Sequence, residues 1–347
     1  MRRGALPAWF TKRLWFPFFF SLILLFRVYS LHAAELTLTS SAGYDSNPAR
    51  YEDEEGSFFA AYGVSASHRL ISTNRANLGI AASASYRDHF SLGDNYRLEA
   101  GPELSFPLFH GALIPAVSVG AVIYRDYLVD EDERNEVFAD LGLAWFASRS
   151  AVITLRTGVR RLDYLNEASS YGGRADGGSH IGRGGMGRAS FRNGKGPGGG
   201  QGQGTPGGST GNTDGQPVVY PGREDNLITL GADLDLALSP SLSLGIYGSY
   251  SRLDSSRSEE TRDIAELGAS LEKRWEDLWA ADFNASVRSS WFHESRRDKG
   301  AFISLRLSRF FGRWRLFAGA DLSRNDSTAG GESYTQVMTE CGVSCSY

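Results

Sequence analysis

The side chains able to do chemistry in this 347-residue chain are few and scattered. His68, His89, His110, His180 and His293 could each act as a general base. Two of them sit in suggestive company, as Asp88-His89-Phe90-Ser91 and as His293-Glu294-Ser295. A nucleophile, a base and an orienting acid must converge in space, however, and neighbours along an extended strand point to opposite faces. No spacing of His, Cys, Asp and Glu matches a zinc or calcium site, Glu52-Asp53-Glu54-Glu55 and Asp130-Glu131-Asp132-Glu133 included. These two acid runs read as solvated loop charge. The chain is not expected to be an enzyme or to carry a cofactor.

Charges with order in them are more informative. Arg69, Arg87, Arg97, Arg288, Arg306 and Arg315 each alternate with apolar neighbours, and so do Asp233, Asp235, Glu266 and Glu272. Side chains two apart share one face of a strand. The elements that must position these charges are therefore strands with one apolar and one polar face. Residues 57–70 show the rule, with Phe58, Ala60, Tyr62, Val64, Ala66 and Leu70 set against Ala61, Gly63, Ser65, Ser67 and Arg69. The chain ends the same way, with Val337, Thr339, Cys341, Val343, Cys345 and Tyr347 on one face and Glu340, Gly342, Ser344 and Ser346 on the other.

The pattern predicts about fourteen strands, with twelve to sixteen as the range. They fall near 35–46, 57–70, 75–87, 96–108, 113–124, 136–146, 151–165, 226–238, 241–252, 262–275, 279–292, 299–309, 314–323 and 334–347. Short turns such as Ser72-Thr73-Asn74, Ser239-Pro240 and Phe311-Gly312-Arg313 alternate with longer connections near 47–56, 88–95, 125–135, 166–225, 253–261, 293–298 and 324–333. Tyr86, Phe106, Trp145, Tyr250, Trp275, Trp279, Trp291 and Trp314 gather at strand ends. Apolar-out, polar-in alternation with turns of two lengths and aromatic girdles is the signature of an all-β, transmembrane, up-and-down antiparallel barrel. A soluble sandwich rarely places so much Ser, Gly and Ala opposite its apolar face.

Residues 1–34 read as a signal peptide. A basic start is followed by an apolar run, Leu14 to Phe26, and by Ala33-Ala34 as a cleavage site. The barrel then occupies residues 35–347. Removing the basic residues Arg2, Arg3, Lys12, Arg13 and Arg27 takes the formal charge from −4 to −9, which argues against a nucleic-acid binder. Residues 166–225 are glycine-rich with almost no large apolar side chain, and are expected to form a disordered surface loop. Its first half is basic (Arg174, Arg183, Arg188, Arg192 and Lys195), and its Gly-x-Gly-x-x-Gly at Gly182, Gly184 and Gly187 carries no weight amid so much glycine. Cys341 and Cys345 lie four apart on one strand, roughly 13–14 Å between Cα atoms. That separation requires free thiols.

Strand order places the six arginines on one wall and Asp233, Asp235, Glu266 and Glu272 across from them, with Arg156 and Arg160 able to pair with Asp233 and Asp235. A lumen lined in this way suits polar or charged solutes. Side chains fill an eight-stranded barrel, and sixteen or more strands leave an aqueous channel; fourteen lies between.

The stretch Gly43-Tyr44-Asp45-Ser46-Asn47 resembles the Gly-Tyr-Asp-x-Asn opening of porin-like outer-membrane β-barrel families, and more weakly the barrel domain of surface lipoprotein assembly modifiers, whose helical repeats have no counterpart here. The resemblance implies a barrel in the bacterial outer membrane, reached by signal-peptide-dependent export. Its partners would be outer-membrane lipid, lipopolysaccharide and the barrel-assembly machinery. The expected function is a monomeric passive pore. The alternatives are an export conduit or accessory for surface polysaccharide or lipoprotein, and a structural or adhesive barrel acting through its loops.

Overall fold

The structure, a computed structural model, describes residues 34–50, 56–90, 92–129, 132–165, 223–276, 278–329 and 332–347. Most of the expected leader, the acid run 52–55, Asp130, Glu131 and nearly all of the glycine-rich connection (His180 included) lie outside the described residues.

Fourteen strands form one closed antiparallel barrel. They are β1 (Ala34–Asp45), β2 (Ser57–Ser72), β3 (Asn77–His89), β4 (Gly93–Ser105), β5 (Leu113–Asp126), β6 (Arg134–Phe146) and β7 (Ala151–Tyr164), then β8 (Glu224–Ser239), β9 (Leu242–Ser255), β10 (Arg262–Trp275), β11 (Trp279–Phe292), β12 (Arg297–Phe311), β13 (Trp314–Ser327) and β14 (Tyr334–Ser346). Each strand pairs with its sequence neighbours, and β1 meets β14 from Thr37↔Ser346 to Asp45↔Met338. Closure leaves no edge to solvate.

Period-two patterning decides which face is which. Phe58 is 65% exposed while Phe59 beside it is fully buried. On β8, Ile228 and Leu230 point outward and Leu227 and Thr229 inward. The start of β1, the end of β14 and the short connections (such as 240–241 and 312–313) lie at one rim, called here the turn end; the ends of β1, β3, β5, β7, β9, β11 and β13 lie at the other, the loop end. At the turns, Glu276, Gly312 and the Phe109-His110-Gly111 corner adopt positive φ.

The strands differ from expectation mainly at the loop end. β5, β6, β8, β9, β12 and β13 all run two to four residues further there than apolar alternation alone indicates. β4 is displaced by three residues, so the long connection expected at 88–95 is the tight 90–92. Asp88 and Asp94, which look like loop residues, face each other across the β3–β4 ladder. Polar residues there continue the strands because backbone pairing continues past the apolar band.

Candidate functional site

All ten charges singled out in the sequence alternate onto the inner face. Arg87 lies opposite Ala61 and Asn95, Arg97 opposite Ser85 and Tyr124, and Arg69 opposite Gly79. Asp233 and Asp235 face Thr154 and Val152; Glu266 faces Arg288 and Glu272 faces Asp282. Arg306 lies between Asp282 and Gly319, and Arg315 between Phe310 and Ser344. The register does not segregate them into a basic and an acidic wall. Glu340 and Asp321 share the inner surface of the arginine-bearing strands, and Arg306 approaches Glu340 at 3.7 Å. Arg156 pairs with Asp233 at 2.5 Å, whereas Arg160 turns the other way, to Glu136 at 3.4 Å and Asp140 at 3.8 Å. A strand has two neighbours, so sequence order alone left that choice open.

Aromatic rings lie flat against this wall. The register sets Phe138 opposite Gly120, Tyr247 opposite Gly268 and Phe317 opposite Gly342. A Cβ on Gly120 would meet Phe138 at 2.5 Å and one on Gly342 would meet Phe317 at 2.6 Å; Tyr247 covers Gly268 in the same way. Glycine in a strand permits such close approach. The open ring face then carries a guanidinium: Arg87 over Phe59 at 4.6 Å, Arg160 over Phe138 at 5.0 Å, and Arg306 and Arg315 over Phe317 at 5.1 and 5.4 Å. Mid-barrel charges keep contact with solvent although they face inward, with Glu99 36%, Asp140 34% and Arg306 28% exposed.

The loop end is built differently. Large buried side chains crowd it, including the apolar cluster Leu162, Tyr164, Leu227 and Leu253. Above that cluster stands a network of buried ions. Arg134 binds Glu136 at 2.9 Å and lies over the rings of Tyr124 and Tyr164. Arg223 forks onto Asp225 and also lies over the Tyr164 ring, at 4.4 Å. Arg296 bridges Asp298 and Glu332 and stacks on Phe292 at 4.2 Å. Asp132, on the β5–β6 connection, is 2% exposed with Arg134, Arg223, Arg50 and Arg262 as its neighbouring cations. Those four come from the β1–β2 connection, β6, the entry to β8, and β10. Burial pushes Asp132 up to about 7 despite that company.

These mouth residues escaped sequence reasoning, although a signal exists. Arg-x-Glu or Arg-x-Asp forms an ion pair at 97–99, 134–136, 161–163, 223–225, 252–254, 296–298 and 324–326; the same spacing at 257–259 and 274–276, also among the described residues, does not, and Arg274 pairs with Glu272. Spacing of two puts both partners on one face of a strand.

The Gly43-Tyr44-Asp45-Ser46-Asn47 stretch has a structural role here. A Cβ on Gly43 would overlap the Thr339 carbonyl oxygen and come within 2.7 Å of the Phe59 ring. Tyr44 packs edge-on against Phe58. The buried Asp45 carboxylate accepts hydrogen bonds from the Asn47 backbone N–H at 3.0 Å and from Gln336 Nε2 at 2.7 Å, which ties β1 to β14. Cys341 and Cys345 are free thiols on the extended β14. The described histidines stay apart: His68 faces outward opposite Ile80, His89 is buried inside against Phe59, and His110 and His293 lie in connections at opposite rims.

No family model and no curated protein matches the sequence. Among solved structures the barrel is similar to the outer-membrane OmpT of Vibrio cholerae, at 9% identity and a TM-score of 0.47 over 90% of this chain and 97% of that one. It is similar to a bacterial polysaccharide outer membrane secretin, at 11% and 0.47 over 91% and 99%. A mutant of the TodX monoaromatic hydrocarbon channel gives 9% and 0.46 over 91% and 90%. Likeness at this level reaches no further than barrel architecture, which the strand pairing establishes independently.

Proposed function

We propose that the protein is a bacterial outer-membrane β-barrel acting as a passive pore for small polar or charged solutes, with its narrowest point at the loop end. The observation that carries this reading is the inversion of polarity across one closed wall. Outward residues form an apolar band, and inward residues are charged and partly solvated. Lipid cannot satisfy free strand edges, so only a closed barrel could span it with strands. The outer face also has a suitable height. Trp279 and Trp291 both point outward and stand twelve residues apart on β11, about 40 Å along a strand and roughly 30 Å at the usual ~40° tilt. Aromatic girdles flank an apolar band of about 25 Å in such barrels.

Single-channel conductance in a planar bilayer tests the reading. Steady conductance is expected, with an anion-to-cation permeability ratio that falls when Arg306 and Arg315 are both changed to Ala. A folded, heat-modifiable barrel that stays silent at every voltage and pH would overturn it. The crowded interior of the loop end favours one second reading, a structural or adhesive barrel acting through its loops, and silence is the result that reading expects.

A further inference from the structure

We propose that the outer wall of β12 and β13 carries a binding site for the phosphate of a phosphorylated lipid headgroup, through Arg297, Lys299 and Arg324. The proposal rests on the membrane reading above and adds a site to it. All three side chains alternate with the inward Asp298, Gly300 and Asn325 and therefore face outward, and all three are exposed. The register sets Lys299 opposite Asp326 and Ala301 opposite Arg324, with Arg297 opposite Trp291 of β11. The three cations thus occupy one small area on adjoining strands.

Their charge is not cancelled. Asp326 is the acid facing outward among them, and Arg324 already takes it, through Nε at 3.0 Å and Nη2 at 2.9 Å. Arg297 and Lys299 form no ion pair among the described residues. Elsewhere around the same rim the balance is reversed. On β7–β10, Arg161 and Arg252 are outnumbered by Asp163, Glu224, Asp254 and Asp263, all facing outward. On β3–β5, Arg125 stands beside Asp88 and Asp94, and its guanidinium is spent on the carbonyls of Tyr124 and Arg134 and on Asn135. Positive excess on the outer wall of the loop-end strands is confined to one sector.

What lies directly below that sector selects the partner. Ile303 and Leu305 on β12 and Leu322 on β13 continue the outer face toward the turn end, each more than two-fifths exposed, with Trp291 at the side. A soluble phosphate would use the cations and ignore this surface. An amphiphile with phosphate at its head and acyl chains beneath it meets both. Guanidinium forks bind phosphate oxygens in pairs, and the Lys299 ammonium adds a point charge.

The test compares the full chain inserted into phosphatidylcholine vesicles with and without a bisphosphorylated lipid A. Lipid retained after mild detergent extraction is read by native mass spectrometry, and insertion by heat-modifiable migration. The parent protein is expected to retain lipid A in preference to phosphatidylcholine. The triple variant Arg297→Ser/Lys299→Ser/Arg324→Ser should insert equally well and lose about a hundredfold in apparent affinity, at roughly fivefold per basic residue. Arg161→Ser/Arg252→Ser, in the acidic sector, should retain lipid A like the parent. Equal retention by parent and triple variant, or no preference for lipid A in an inserted parent, overturns this site and leaves the membrane reading standing. Failure to insert overturns both.

Discussion

Asp132 is a buried acid held over the mouth of the barrel, and its protonation should control how firmly the β5–β6 connection is seated. Its pKa in the seated loop is about 7, against roughly 3.9 for a solvated aspartate. A group raised in this way adds stability that is complete below the solvated value and is lost as pH rises through the seated one. The loop is thus most firmly held in acid and loosens as pH rises to neutrality. Amide exchange gives the measurement, because the Asp132 N–H is bonded to the Val129 carbonyl at 2.9 Å. Its protection factor, corrected for the intrinsic rate, should fall between pH 5 and pH 8. Asp132→Asn, which cannot ionise, should flatten that fall; an unchanged pH profile in the variant would remove Asp132 as the titrating group.

At the scale of paired strands, the interior depends on glycines that face rings. Gly43 has no room for a methyl group, since both the β14 backbone and the Phe59 ring occupy the space. Gly43→Ala should therefore destabilise the barrel by about 1–3 kcal/mol, the usual cost of overpacking. Gly142 lies on the same kind of strand with nothing within 4 Å of its absent Cβ, and Gly142→Ala should change stability by less than about 0.5 kcal/mol. Urea midpoints of the refolded variants would decide the comparison, and equal losses would mean that strand glycine matters through backbone entropy and not through ring packing. The repeated Arg-x-acid spacing is the other device of this scale. It is visible in the sequence, yet whether a pair lies in the mouth (Arg134–Glu136) or on the outer wall (Arg324–Asp326) depends on which face the strand turns inward.

For the whole molecule, the β7–β8 pairing bears on what the glycine-rich connection contributes. The ladder from Ala151↔Leu236 to Asp163↔Glu224 is complete, and the Tyr164 N–H bonds to the Arg223 carbonyl at 2.9 Å. The two strand ends that the connection joins are already adjacent. Replacing residues 170–220 by a short Gly-Ser linker should leave heat-modifiable migration unchanged, since connections on a rim tolerate such changes. In a pore the conductance should survive or rise. Loss of the folded form would show that the segment takes part in holding the barrel together.

The sequence by itself determined the barrel class, a strand count of about fourteen and the alternation of short and long connections. Each of these follows from a period of two, a property of one strand that needs no partner. Free thiols at Cys341 and Cys345 follow from the same geometry. Only the tertiary structure decided partnership. It turned Arg160 toward Glu136, mixed Glu340 and Asp321 among the arginines, laid rings on glycines of the next strand and gathered Arg50, Asp132, Arg134, Arg223 and Arg262 into the mouth. Apart from the neighbours Asp132 and Arg134, the members of each group come from separate strands or connections, and closure of the wall is what brings them within reach of one another.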